Sequence, residues 1–209
     1  MAATAWILGA GPGIGRAAAL RVAAEGYQVG CVIRPGEDAD AYPGQVVAAD
    51  VGNLQALSRA MDALEAALGL PSLLLFNAST GRPGPAAELE PEALLEDLTG
   101  SGAALLLAVQ RVLPALRRAG RGTLLVTGGG LAFAPKAGLA SASAGKALQR
   151  SLALSLAEEL APEGIHVATL AVCGFVQPHT DLSPEAVAQA LWELHLEPPE
   201  AWTRERRLP

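Results

Sequence analysis

Short apolar runs alternate along the chain with longer segments in which apolar residues return every third or fourth position. Trp6-Ile7-Leu8 is the first short run, and Gln28–Ile33, Gln45–Ala48, Leu73–Phe76, residues 123–127 and Ile165–Val172 follow. A run such as Leu73-Leu74-Leu75-Phe76, with no polar alternation, predicts a strand covered on both faces. The longer segments predict helices over residues 17–25, 53–68, 91–118, 140–160 and 184–194, the third broken near Gly100 and Gly102. In the second of these, Leu54, Leu57, Met61, Leu64 and Leu68 fall on one helical face. Pro91 and Pro184 stand where proline is favoured, at a first helical turn. Residues 202–208 alternate weakly and predict an edge strand, and the Pro/Gly-rich segments 34–44 and 81–91 predict surface loops.

Strands that alternate with helices form βαβ units, joined by right-handed crossovers. The expected fold is therefore α/β: a Rossmann-type, doubly wound parallel sheet in a three-layer αβα arrangement, with residues 1–209 as a single domain. A hydrophobic fraction of 51% against 17% charged residues supports a large core. Fifteen basic residues against 21 acidic ones, a net charge of −6, argue against nucleic acid as a partner. Two cysteines make no disulfide framework and point to a reducing, cytoplasmic setting. No basic, apolar leader opens the chain, and no uninterrupted apolar run reaches membrane length, so no membrane partner is expected. The segments around Leu105-Leu106-Leu107 and Leu152 to Leu160 are apolar or small on more than one face. Leu148, Leu152 and Leu156 are expected in the core, with Leu154, Ala147, Ser151 and Ala157 left to pack elsewhere. That surplus predicts a homodimer or homotetramer with an isologous interface.

The chemistry concentrates first in Gly9-Ala10-Gly11-Pro12-Gly13-Ile14-Gly15, between the first strand and the first helix. Glycines there permit a tight turn and bring backbone N–H groups and a helix N-terminus up to a pyrophosphate. The spacing of Gly9, Gly13 and Gly15 resembles that of the short-chain dehydrogenase/reductase family. Other segments resemble it in order: Asp50-Val51 after the third strand, Asn77-Ala78-Ser79 after the fourth, Lys146 in the long helix, and Cys173-Gly174 after the sixth strand. The resemblance runs over essentially the whole chain. It implies an NAD(P)(H)-dependent oxidoreductase with an unknown small-molecule substrate. The implied cofactor contacts are Gly9, Gly11, Gly13, Ile14, Gly15, Arg34, Asp50, Val51, Asn77, Ala78, Lys146, Gly174 and Val176; no metal site is expected.

An NAD enzyme of this fold usually ends its second strand on an acid that takes the ribose hydroxyls. Here Ile33 holds that position and Arg34 follows, with Arg16 near by, so NADP(H) is favoured over NAD(H). Asp38 and Asp40 lie close by and pull the other way.

The family's reaction uses a Tyr acid/base four residues before the Lys, a Ser at a strand end and an Asn in the preceding helix. Those positions fall here on Ala142, Gly129 and Asp97, so Lys146 alone is kept and Asp97 is the other candidate catalytic group. Tyr27 and Tyr42 are remote along the chain; Ser141, Ser143, Thr127 and His179 are weak substitutes, and Cys173 reads as a small packing residue. Two readings stand: an oxidoreductase with a rewired proton donor, and a non-catalytic NADP(H)-binding protein acting as sensor or subunit. If only the groups are missing, Gly129→Ser with Ala142→Tyr is expected to create carbonyl reductase activity; for Asp97 the alternatives are a partner of Lys146, a base, or a solvated or capping carboxylate.

Overall fold

A computed structural model describes residues 2–209. Seven strands, β1 (Thr4–Leu8), β2 (Gln28–Ile33), β3 (Gln45–Ala48), β4 (Leu73–Phe76), β5 (Gly122–Gly129), β6 (Ile165–Val172) and β7 (Glu205–Leu208), form one parallel sheet in the order β3-β2-β1-β4-β5-β6-β7. The helices are α1 (Ile14–Ala24), α2 (Leu54–Leu68), α3 (Pro91–Leu98), α4 (Ala104–Ala119), α5 (Ala140–Leu160) and α6 (Pro184–His195). The fold is the expected three-layer, Rossmann-type single domain. The strand order reverses between β1 and β4, and the crevice of such a sheet opens at the carboxyl ends of those strands.

Two apolar layers clamp the sheet. One joins Trp6, Leu8 and Phe76 to Leu57, Met61 and Leu64 of α2, Leu105, Val109 and Val112 of α4, and Ala153, Ala157 and Leu160 of α5. The other joins Ile7, Ile33 and Leu75 to Ala18, Ala19 and Val22 of α1 and to Val187, Leu191 and Leu194 of α6. Central strands covered on both faces explain the absence of polar alternation in β4, whose four residues are all buried. Local signals fix the helix ends. Asn53 caps α2 by accepting from the Ala56 amide at 3.0 Å, and Ser183 caps α6 from the Ala186 amide at 3.2 Å, with Pro184 next in line.

Several details differ from the sequence expectation. Helix α1 begins three residues earlier, because Ile14, Gly15 and Arg16 form its first turn. The expected break in the third helix is one π-helical stretch, Thr99–Ala103, between α3 and α4. Read continuously, Pro91–Ala119 is one helical run whose most apolar window has a mean hydropathy of 1.3, long and apolar enough to cross a membrane. Counting uninterrupted apolar residues misses it; in this fold α4 sets Leu105, Val109 and Val112 in the core. On α5 the core face is Gln149, Ala153, Ala157 and Leu160, while Leu148, Leu152, Leu154 and Leu156 are half-buried at its flanks. The small residues face inward because α5 approaches the sheet closely, and its leucines flank that contact.

Candidate functional site

The glycine loop runs off the end of β1 beside the reversal of strand order. Gly9 has φ +75°, and a Cβ there would meet the Ala78 backbone at 2.7 Å. Asn77 fixes the same turn from β4, its Nδ2 donating to the Gly9 carbonyl at 2.8 Å. Gly15 is equally crowded, since a Cβ would lie 2.6 Å from Ala10 Cα. Gly11 and Gly13 are different: a Cβ at either meets nothing within 4 Å. The backbone N–H groups of Gly13, Ile14 and Gly15 have no backbone partner among the described residues, and they open a helix of eleven residues. Tight glycines thus hold an open, donor-rich turn, and this cradle fits a pyrophosphate.

Arg34 leaves the end of β2 exposed and makes no ion pair among the described residues, while Ile33 before it is 1% exposed and belongs to the core. A guanidinium, with no carboxylate at the strand end, faces the cleft there. Asp38 is engaged locally, accepting from the Asp40 amide at 3.1 Å. Asp50 accepts from the Gly52 amide at 2.9 Å, and the side chain of Val51 is buried, so its backbone is what the cleft can meet. The cleft, about 550 Å³, continues from Arg34 and Asp50 past Ser79 and Thr80 to Arg82 and Asp97. Arg16 lies outside it, in a separate hollow of about 280 Å³ shared with Pro12 and Gly13 of the glycine turn, Leu20 and Glu185. Gly174 and Val176 sit beyond β6, Gly174 close to Leu182 and Val176 packed on the α1–α6 core layer. Cys173 is exposed, contrary to the packing role expected of it.

On the far side of the cleft Lys146 is half-buried on α5. Its Nζ donates to the Thr127 carbonyl at 2.7 Å and to Gln149 Oε1 at 3.1 Å. Burial pushes its ammonium down to about 8. Gly129 lies beside it: a Cβ there would pass Lys146 Cδ and Cε at 3.6 Å, ordinary contact.

Asp97 does not pair with Lys146, one of the alternatives open to it. Asp97 is 5% exposed and is held by Arg82, whose Nε and Nη2 reach its two oxygens at 3.1 Å each. Burial pushes the Asp97 carboxyl up, and the bonds from Arg82 and Ser141 more than reverse this, leaving it below the usual carboxylate range. Arg82 was missed in the sequence because a lone arginine in a Pro/Gly-rich stretch reads as a solvated loop charge.

Arg82 also anchors its own loop. Its N–H donates to Ser141 Oγ at 3.0 Å, Ser141 Oγ donates back to the Arg82 carbonyl at 3.3 Å, and the Gly84 N–H donates to the Gly138 carbonyl at 2.9 Å. Between these bonds a Cβ on Gly81 would meet Ala142 Cβ at 2.6 Å. The segment expected to be a plain surface loop is therefore laced onto the first turn of α5, with Ala142 beneath it.

The other substitutes are engaged or distant. Ser143 Oγ donates to the Leu139 carbonyl at 2.8 Å. Thr127 Oγ1 is buried without a partner among the described residues. His179 is exposed, with φ +61°. Tyr42 donates to Glu37 at 2.7 Å, and Tyr27 stands 2.8 Å from His195 at the amino ends of the strands, opposite the cleft.

The comparisons agree with this architecture. The family model described as short chain dehydrogenase matches residues 3–190. "Oxidoreductase asL5" of Sarocladium schorii is 29% identical over 192 residues, 89% of this chain and 76% of that protein. The crystal structure of 3-ketoacyl-(acyl-carrier-protein) reductase from Brucella melitensis complexed with NADH superposes with a TM-score of 0.85 at 27% identity, covering 99% of this chain and 95% of the other. A metagenomic short-chain oxidoreductase in complex with NADP shares the fold, with a TM-score of 0.84 at 23% identity over 99% of this chain and 96% of its own. From its glycine turn to α6, this chain belongs to the short-chain dehydrogenase family.

Proposed function

We propose that the chain is an NADP(H)-binding oxidoreductase of this family whose site has lost the usual tyrosine and serine. The observation that carries the cofactor reading is the open backbone at Gly11 and Gly13 together with the unpaired Arg34 at the end of β2. The glycine turn would take the pyrophosphate, Arg34 the 2′-phosphate, and Asp50 with the Val51 backbone the adenine side. When bound, the dinucleotide supplies or accepts a hydride. The residues around it hold and orient: Asn77 fixes the turn, Lys146 faces the ribose side, and Arg82 with Asp97 walls the substrate end. With glycine at 129 and alanine at 142, the proton comes from a group on the ligand, from water, or from Lys146.

One observation favours the second reading, a non-catalytic NADP(H)-binding protein. The loop carrying Gly81 and Arg82 is bonded down over Ala142, where the resemblance places the proton donor. Absorbance assays of NADPH oxidation over a panel of carbonyl and imine substrates separate the two. Turnover well above a Lys146→Ala control supports the oxidoreductase; tight NADPH binding without turnover supports the binding protein. The protein is expected to work in the cytoplasm as a homodimer or homotetramer, through the half-buried leucines at the flanks of α4 and α5, without nucleic acid or membrane as partner. Sedimentation at micromolar concentration tests the assembly.

A further inference from the structure

Gln149 is 0% exposed and stands on α5 three residues beyond Lys146. Both ends of its amide are used: Oε1 accepts from Lys146 Nζ at 3.1 Å, and Nε2 donates to the Ala78 carbonyl at 2.7 Å. Ala78 is the residue against which Gly9 packs, and its neighbour Asn77 bonds the Gly9 carbonyl. A continuous line therefore runs from the Thr127 carbonyl through Lys146 and Gln149 to Ala78 and the glycine turn. The next inward residues of α5 are Ala153, Ala157 and Leu160, so beyond Gln149 this face is apolar. An apolar residue at 149 would fill the space but leave a buried carbonyl and a buried amine each short of a partner.

We propose that Gln149 is a positioning residue: it sets where the Lys146 amine stands and couples it, through Ala78, to the turn that takes the dinucleotide. The proposal rests on the dinucleotide reading above. Among the described residues no charged group bonds the amine. Asp97 on α3 is held by Arg82, Glu205 on β7 by Arg150, and Glu163 after α5 by Arg117. Strand β5 carries no titratable side chain, and His166, the one in β6, lies at the start of that strand against Trp202. The amide oxygen favours the charged amine and so works against the burial that depresses Lys146.

The chain has two lysines, Lys136 and Lys146, so full-length protein labelled with ¹⁵N-lysine gives a side-chain spectrum in which each can be followed. Wild type is expected to show Lys146 titrating near 8. Gln149→Leu is expected to move that midpoint down, and Gln149→Glu, which puts a carboxylate beside the amine, to move it up, with Lys136 unmoved in all three. NADPH affinity, read by fluorescence titration, is expected to fall about tenfold in Gln149→Leu. A filler that merely packs would not move the titration in opposite directions. Lys146 titrating alike in the three proteins overturns the proposal, as does unchanged NADPH affinity in Gln149→Leu. If Gln149→Leu does not fold, the near-isosteric Gln149→Glu decides alone. If wild-type protein fails to bind NADPH while Lys146 moves as expected, the dinucleotide reading falls and the positioning of Lys146 stands.

Discussion

At Gly11 and Gly13 in the glycine turn the backbone stands clear of the other described residues, whereas at Gly81, Gly100 and Gly145, around the loop after β4, it is packed to contact. A Cβ at Gly11 or Gly13 meets nothing within 4 Å; at Gly81, Gly100 or Gly145 it would meet Ala142, Thr80 or Ser101 at 2.6 Å. The same residue type serves opposite ends. In the first region glycine stands at an open stretch of backbone. In the second it lets the chain close on itself, drawing the loop after β4, the π-helical stretch and the start of α5 together. Lost side chains at 129 and 142 are therefore not equivalent: one leaves space beside Lys146, the other lies under a bonded loop.

The comparison breaks most sharply at the glycine turn. Gly9→Val forces a side chain into the left-handed region and into Ala78, so it is expected to destabilise the fold by about 2–5 kcal/mol. Gly11→Ala is expected to change stability by less than about 0.5 kcal/mol, yet to weaken NADPH binding. Denaturant unfolding and cofactor titration of both variants read the two effects separately.

Lys146 gives the next effect. Its folded-state value of about 8 lies below the ordinary 10.5, so between those pH values the unfolded chain binds more protons. Stability then rises with pH across that window, and the penalty is full below about pH 8. Wild type is expected to gain about 2–3 kcal/mol relative to Lys146→Met between pH 8 and 10.5. Thermal unfolding at several pH values measures it.

At the sealed side, Gly129→Ser has ordinary contact distances and is expected to fold as wild type. Ala142→Tyr must displace Gly81 and the bonds of Arg82, and is expected to lose about 1–3 kcal/mol. The double variant is expected to reduce carbonyls only if the loop lifts, contrary to the simple restoration that the sequence suggests. Unfolding midpoints and NADPH oxidation with a reactive diketone check both statements.

The smallest effect lies at the opposite end of the sheet. Burial, and then His166, push His195 below its ordinary value of 6.5. Its neutral ring bridges Tyr27 and Thr123. A group so depressed supports the fold fully above about 6.5, and that support is lost as pH falls. A slight drop in Tm on acidification, absent in His195→Gln, is expected.

Much of this was legible in the chain. Uniform apolar runs such as Leu73–Phe76 mark buried parallel strands, and the glycine spacing, Asn77 and Lys146 carry the family resemblance. The partner choices were not legible. Asp97 pairs with Arg82, fifteen residues earlier, because loop and helix meet in space, which no local period encodes. Gln149 reads as one more polar residue until the fold brings Ala78 above it. The inward face of α5 is not legible either, because leucine count does not give burial and a close approach to the sheet selects small residues.

The central claim is the proposal that the glycine turn and Arg34 together hold NADP(H). Calorimetric titration of wild type and Arg34→Ala with NADPH and NADH tests it most directly. The expected result is tighter binding of NADPH by wild type, a preference that Arg34→Ala erases and that added salt weakens. Equal or reversed affinities in wild type, or a preference untouched by Arg34→Ala, would contradict it.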